Sequence, residues 1–204
     1  MNSRKMLVDY LPFEVTPQQI NESISKNEGK LIVSGVLQRA NAKNQNGRVY
    51  PRETLMREAD NYSKIQIKER RALGELDHPD SSVVNLNNVS HNIMEMHWNG
   101  DDLVGTVEVL GTPSGNILKE LFKSGIKLGI SSRGLGSVEE LGESDDGGQT
   151  VAVQPDFELI AFDFVSNPST QGAFLSPMRE GVERNSVRKI TKVESIINDI
   201  LRGE

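Results

Sequence analysis

The chain contains no cysteine. Disulfide scaffolds, zinc–thiolate sites and a cysteine nucleophile are therefore excluded, and a reducing compartment is permitted. Long apolar runs are also missing. The longest, such as Leu31 to Val33 and Ile160 to Phe162, are a few residues each, far below the roughly 20 that a membrane-spanning helix needs. Arg4 and Lys5 open the chain, but Asp9 and Glu14 interrupt any apolar run behind them, so no secretory signal is expected. Positive charge is in deficit, with 23 Lys and Arg against 29 Asp and Glu and a formal net charge of -6. Phosphate backbones demand a basic surface, so direct nucleic-acid binding is not expected. The locally basic stretch Arg179 to Lys192 reads as a solvated helix face. There is no internal repeat, no helical H-E-x-x-H pair for zinc, and no G-x-S-x-G elbow of an α/β-hydrolase, since Gly129-Ile130-Ser131-Ser132-Arg133 ends in arginine.

What is present suits one domain of ordinary size, because 204 residues can bury a real core but not two. Residues 1–30 show no sustained period and read as a leader or arm, residues 31–178 as the folded domain, and residues 179–204 as a tail. Leu31-Ile32-Val33 with Val36-Leu37 predicts the first strand, and Asn44 to Gly47 a turn. Pro51 suits the first turn of a helix whose apolar face is Leu55, Met56, Ala59 and Tyr62. Met94, Met96 and Trp98 alternate into Asn99-Gly100, and Leu103, Gly105, Val107 and Val109 return, which predicts a hairpin. Ser114 is the expected cap of a helix burying Ile117, Leu118, Leu121 and Phe122, with Gly125 at its end. A strand over residues 126–134, an exposed acidic loop over 139–148, a strand over 157–165 and a C-terminal helix striped by Ile190, Val193, Ile196, Ile197, Ile200 and Leu201 complete the pattern. Strands and helices are mixed rather than regularly βαβ. The expected fold class is α+β, a mostly antiparallel barrel or sheet flanked by helices.

Hydrolysis by a hydroxyl needs a base, a group that orients the base, and donors for an oxyanion. A period of two along residues 126–133 places Ile126, Leu128, Ile130 and Ser132 on one face and Lys127, Gly129, Ser131 and Arg133 on the other. Ser132 then continues the core row. Ser131 shares the polar face, beside a glycine that leaves room for a substrate backbone, and is the better nucleophile. Arg133 and Gly134 follow directly as candidate oxyanion or substrate-binding residues. Of three histidines, His91 and His97 share a strand face and read as packing or surface residues, whereas His78 lies in a segment bracketed by Gly74 and Pro79 and is the better base. No metal site is expected. Asp163 interrupts the apolar row Phe157, Leu159, Ala161, Val165, and a carboxylate there needs a partner. An imidazolium would serve, as would loop backbone. Asp77 is the alternative orienter of His78.

Leu73-Gly74-Glu75-Leu76-Asp77-His78-Pro79 and Gly129-Ile130-Ser131-Ser132-Arg133-Gly134-Leu135-Gly136 resemble the paired signatures of T-even-type bacteriophage prohead core proteases, and Leu37-Gln38 through Arg48-Val49-Tyr50-Pro51 is similar to that family's early segment. The resemblance covers roughly Leu31 to Pro177. It implies an assemblin-like fold, a serine endopeptidase with His78 as base, Ser131 as nucleophile and Asp163 as the acid, and no cofactor. Asp77 departs from the family's asparagine in GELNHP. The implied substrates are prohead scaffold or core proteins and the major capsid protein, cleaved inside the assembling prohead in the host cytoplasm, by a homo-oligomer without membrane contact. The implied preference is for glutamate at the cut with Leu or Ile two residues before. Ile20-Asn21-Glu22, in the leader, and Leu141-Gly142-Glu143, in the acidic loop, fit that pattern and are expected to be accessible, whereas Leu118-Lys119-Glu120 falls on a predicted helix and Leu73-Gly74-Glu75 beside His78. Self-cleavage is expected after Glu22, in a leader that would occupy the substrate groove until removed. A catalytically silent prohead-core protein with the same fold is the rival reading, and a metal-dependent hydrolase a third.

Overall fold

The segment expected to be an arm is a strand and a helix. β1 (Lys5–Phe13) carries Leu7, Asp9 and Phe13 on a buried face, the apolar row being broken only by Asp9. α1 (Pro17–Lys26) starts from a Thr16–Gln19 capping box with Pro17 in its first turn. Ile20 buries its side chain in the core. These elements belong to a computed structural model that describes residues 4–79, 81–143 and 149–166. The C-terminal stripe Ile190 to Leu201, the basic stretch from Arg179 and the expected boundary at residue 178 lie outside the described residues.

The remaining elements are β2 (Leu31–Arg39), β3 (Arg48–Val49), α2 (Arg52–Tyr62) running into a π-helical turn (Ser63–Ile67), β4 (Leu73–Glu75), β5 (Val89–Asn99), β6 (Asp102–Val109), α3 (Pro113–Lys123), β7 (Leu128–Gly136), β8 (Val138–Glu143), β9 (Gln149–Val153) and β10 (Glu158–Val165). They form three sheets in the orders β1-β7-β10, β2-β6-β5-β4 and β3-β9-β8. All pairings are antiparallel except β3 with β9. A parallel bridge between Leu76 and Phe164 joins the edge of the second sheet to the edge of the first. The architecture is thus α+β and mostly antiparallel, and the ladders do not close into a barrel.

Helix burial follows the expected periods with local departures. α2 buries Leu55, Ala59 and Tyr62, while Met56 turns outward. Its Glu58 is buried too, because Oε2 accepts from Leu159 N at 3.1 Å, beside the register shift between Leu159 and Ala161. α3 is capped by Thr112 rather than Ser114: Thr112 Oγ1 accepts from Gly115 N at 3.0 Å and Pro113 takes the first turn. Ile117, expected in the core, is exposed, whereas Leu118 and Phe122 are buried. The acidic loop expected from residue 139 begins as a strand, β8, paired with β9. Phe13, Phe122 and Phe164 meet edge-on or tilted and close the core around β7 and β10. Among the described residues no helix is long and apolar enough to cross a membrane.

Candidate active site

β7 is the central strand of its sheet, and its period of two sorts the two serines. Leu128 and Ile130 enter the core, and Ser132 continues that row, its Oγ accepting from Gln38 Nε2 at 2.7 Å and donating to Asp9 O at 3.4 Å. Gly129, Ser131 and Arg133 alternate with them on the opposite face. Ser131 stands in register between Tyr10 of β1 and Asp163 of β10. Directly opposed antiparallel residues share a face, so Tyr10, Ser131 and Asp163 form one cross-strand row.

That face is not the open polar surface the sequence suggested. Ser131 is 1% exposed and Arg133 0%. Among the described residues Ser131 Oγ has no hydrogen-bond partner. The space left by Gly129 is filled, since a Cβ there would lie 1.6 Å from the Tyr10 ring.

Arg133 turns its guanidinium inward. Nε donates to Asp163 Oδ2 at 2.8 Å, Nη2 to Asp163 Oδ1 and to Glu75 Oε1 at 3.2 Å each, and Nη1 to Ser81 O at 2.5 Å. Every guanidinium nitrogen is engaged, so it is not presented to a substrate oxyanion, and its backbone lies mid-strand between two ladders. Gly134, the other residue expected at an oxyanion, packs against Phe157, whose ring would sit 2.4 Å from an added Cβ. Asp163 accepts Arg133 on both oxygens and Glu75 N at 3.0 Å on Oδ1. The partner found for this carboxylate is a guanidinium, not an imidazolium. Burial pushes the Asp163 carboxyl above its ordinary range, although Arg133 and the Glu75 N–H draw it down. Burial, with the charge of Asp163 adding to it, also raises the Tyr62 hydroxyl.

His78 enters from the other side of β10. β4 runs beside β10, Asp77 N donates to Phe164 O at 2.7 Å, and His78 follows, half-buried. Asp77 has φ 65°, and its Oδ1 accepts from His78 N at 3.0 Å. Asn and Asp are the non-glycine residues best suited to this left-handed conformation, so the exchange of the family's asparagine for Asp77 preserves the turn. As the alternative orienter, Asp77 is found shaping the His78 backbone. β10 thus holds both motifs: Asp163 opposite Ser131 on one side, and the backbone leading into His78 on the other.

His91 and His97 are separated by a bulge at Met94, where the β5–β6 register shifts. His97 is exposed and His91 fully buried. His91 is a neutral ring, Nε2–H donating to Phe162 O and Nδ1 accepting from Ser90 Oγ, at 2.9 Å each. Burial lowers it to about 4. Among the described residues no group of three or more His, Cys, Asp or Glu side chains is placed to hold a metal ion.

Two residues of the site escaped sequence reading. Tyr10 was hidden in the supposed arm, though the bare Gly129 signalled that something lies over it. Glu75 entered only as part of the motif that carries His78. It is wholly buried and bonded to Arg133 and to Asn85 N.

Comparison with known proteins matches the chain to a family. The profile of the prohead core protein serine proteases matches residues 8–185. The prohead core protein protease of Enterobacteria phage T4 is 32% identical over 150 residues, covering 72% of this chain and 68% of that protein. The solved structure of the bacteriophage T4 capsid assembly protease, gp21, has the same fold, with a TM-score of 0.69 and 24% identity over 82% of this chain and 100% of the other. The chain belongs to the prohead core protein serine protease family.

Proposed function

We propose that this protein is the endopeptidase that cleaves the scaffold or core proteins and the major capsid protein within an assembling prohead, with Ser131 as nucleophile, His78 as general base and Asp163 as the acidic third member. Arg133 serves this site through its hold on Asp163 rather than as an oxyanion donor, its guanidinium being fully engaged, and Gly134 is the close-packed strand position beside it. Cleavage after glutamate, with Leu or Ile two residues before, is part of the same reading, as is action as a homo-oligomer in the host cytoplasm inside the prohead. The observation that supports it most directly is the junction at β10, where Asp163 faces Ser131 and Phe164 binds the backbone that leads into His78.

The same geometry supports a latent form. A nucleophile 1% exposed beside a Tyr10 ring cannot meet a peptide carbonyl until β1 shifts, which fits a leader-occluded, self-processed enzyme. Burial of Ser131 equally favours the rival reading of a silent prohead-core protein that keeps the fold without turnover. Cleavage of a Leu/Ile-x-Glu peptide separates them. Activity lost in Ser131→Ala and retained in Ser132→Ala supports the protease. A folded wild type and a folded Tyr10→Ala variant, in which the covering ring is gone, that neither cleave nor react with a fluorophosphonate support the silent protein, and loss in Ser132→Ala with activity in Ser131→Ala transfers the nucleophile to Ser132.

A further inference from the structure

Glu75 carries a buried charge at the one place where the loop bearing His78 begins. Its backbone N donates to Asp163 Oδ1 at 3.0 Å, which anchors the start of the loop to the carboxylate opposite Ser131. Its side-chain Oε1 accepts from Asn85 N at 3.0 Å, which closes the far end, ten residues on. The same oxygen receives Arg133 Nη2 at 3.2 Å, and Arg133 Nη1 holds Ser81 O between the two ends. One carboxylate and one guanidinium thus grip the loop at its start, middle and end. The guanidinium belongs to the residue two beyond the nucleophile.

We propose that Glu75 is a positioning residue for His78, a clamp that sets the base over the strand carrying Ser131. The proposal rests on the Ser131–His78 assignment above. Oε1 carries both hydrogen bonds, while Oε2 has none among the described residues, so a glutamine amide group can take the place of Oε2 and leave the loop closure intact. Loss of the clamp frees the loop without touching the reacting groups, and displacement of a catalytic group by about 1 Å costs on the order of 100-fold.

The full-length wild type, Glu75→Ala, Glu75→Gln and Asn85→Pro are compared by peptide cleavage and by fluorophosphonate labelling, at a temperature where circular dichroism shows each to be folded. Asn85 is exposed, and proline there removes the N–H that Glu75 accepts together with the Oδ1 that receives Asn87 N at 3.1 Å, so Asn85→Ala, which loses Oδ1 alone, is its control and is expected to keep wild-type kcat. The expected result is a loss of about 100-fold in kcat with KM unchanged for Glu75→Ala and Asn85→Pro, and recovery of most of it in Glu75→Gln. Wild-type kcat in folded Glu75→Ala or Asn85→Pro overturns the proposal, as does a glutamine variant no better than alanine. If Glu75→Ala does not fold, Asn85→Pro decides. A folded wild type and a folded Tyr10→Ala variant both without labelling overturn the Ser131 assignment and this one with it, whereas labelling that is equal in wild type and the two loop variants overturns this one alone.

Discussion

Arg133 and Asp163 form an ion pair of 2.8 Å in which both side chains are wholly shielded from water. Glu75 adds a second buried carboxylate at 3.2 Å from the same guanidinium. Two anions around one cation make the cation the more critical partner. Removing one member of a buried pair leaves an uncompensated charge, at a cost of about 3–5 kcal/mol. Arg133→Met is expected to lose that much in urea denaturation. Asp163→Asn, which leaves Glu75 to face Arg133, is expected to lose less.

Stability should respond to pH through His91. Its folded value is about 4 against 6.5 for a free ring, so the unfolded chain binds the extra proton across that window. Stability contributed by the neutral ring is present above pH 6.5 and lost as pH falls toward about 4, on the order of 3 kcal/mol in all. Asp163 acts with the opposite sign. Its raised value means that the folded state holds a proton more readily, so its contribution is present at low pH and lost as pH rises above 3.8. His91→Gln keeps an N–H for Phe162 O. The stability difference between wild type and this variant, followed by denaturation across the window, isolates the His91 slope, and no change in that difference would place the ring elsewhere.

Gly74 lies beneath the His91–Phe162 hydrogen bond. A Cβ there would sit 2.0 Å from Phe162 O and 2.3 Å from His91 Nε2, one a strand backbone and the other a buried ring, neither free to retreat. Gly74→Ala therefore has to move β10 or break the bond, and a loss above about 3 kcal/mol is expected. Gly111→Ala is the control, because nothing lies within 4 Å of a Cβ at that position. Equal midpoints for the two variants would contradict the packing described.

Tyr10 and Ser131 offer a test in which stability and reactivity move in opposite directions. Tyr10→Ala removes a partly buried ring and is expected to cost about 1 kcal/mol. It also uncovers Gly129 and should raise the rate of fluorophosphonate labelling at Ser131. Gly129→Ala, which drives a methyl into the ring, should be rescued in stability by Tyr10→Ala, giving a favourable coupling in the double-mutant cycle.

Much of this was legible in the residues. Alternation through Leu128, Ile130 and Ser132 sorted Ser132 from Ser131, and the odd carboxylate among apolar residues of β10 did have a buried partner. The identity of that partner was not legible, because Arg133 is thirty residues away in sequence and joins Asp163 only through the β7–β10 register. β1 escaped because Asp9 breaks its apolar row. That carboxylate is buried with Arg48 at 2.7 Å and with the Tyr50 hydroxyl, contacts that only tertiary structure supplies. Pro12 suits a strand only at a sheet edge, which is where β1 lies. Likewise the bulge at Met94 undid the shared face expected of His91 and His97, since one extra residue reverses every side chain beyond it.

The same misreading of the N-terminus changes where self-processing should occur. Ile20-Asn21-Glu22 and Leu141-Gly142-Glu143 were both expected to be accessible, but the first lies within α1 with Ile20 only 2% exposed, so a cut there requires the helix to unwind and Ile20 to leave the core. Leu118 and Glu75 are wholly buried in the two other matching tripeptides. Leu141 is 62% exposed, Gly142 has φ 108°, and Leu141-Gly142-Glu143 ends β8, the edge strand of its sheet. The ladder shifts register between Glu140 and Gly142, so this end of the edge strand is an exposed, bulged segment with one side unpaired, the kind of backbone at which proteolytic nicking concentrates. Incubated full-length protein followed by intact mass is expected to show a cut after Glu143 before any after Glu22. Leu141→Asp should suppress that cut while leaving cleavage of an added peptide unchanged. Early release of residues 1–22 with β8 intact would show instead that α1 opens more readily than its capping and burial allow.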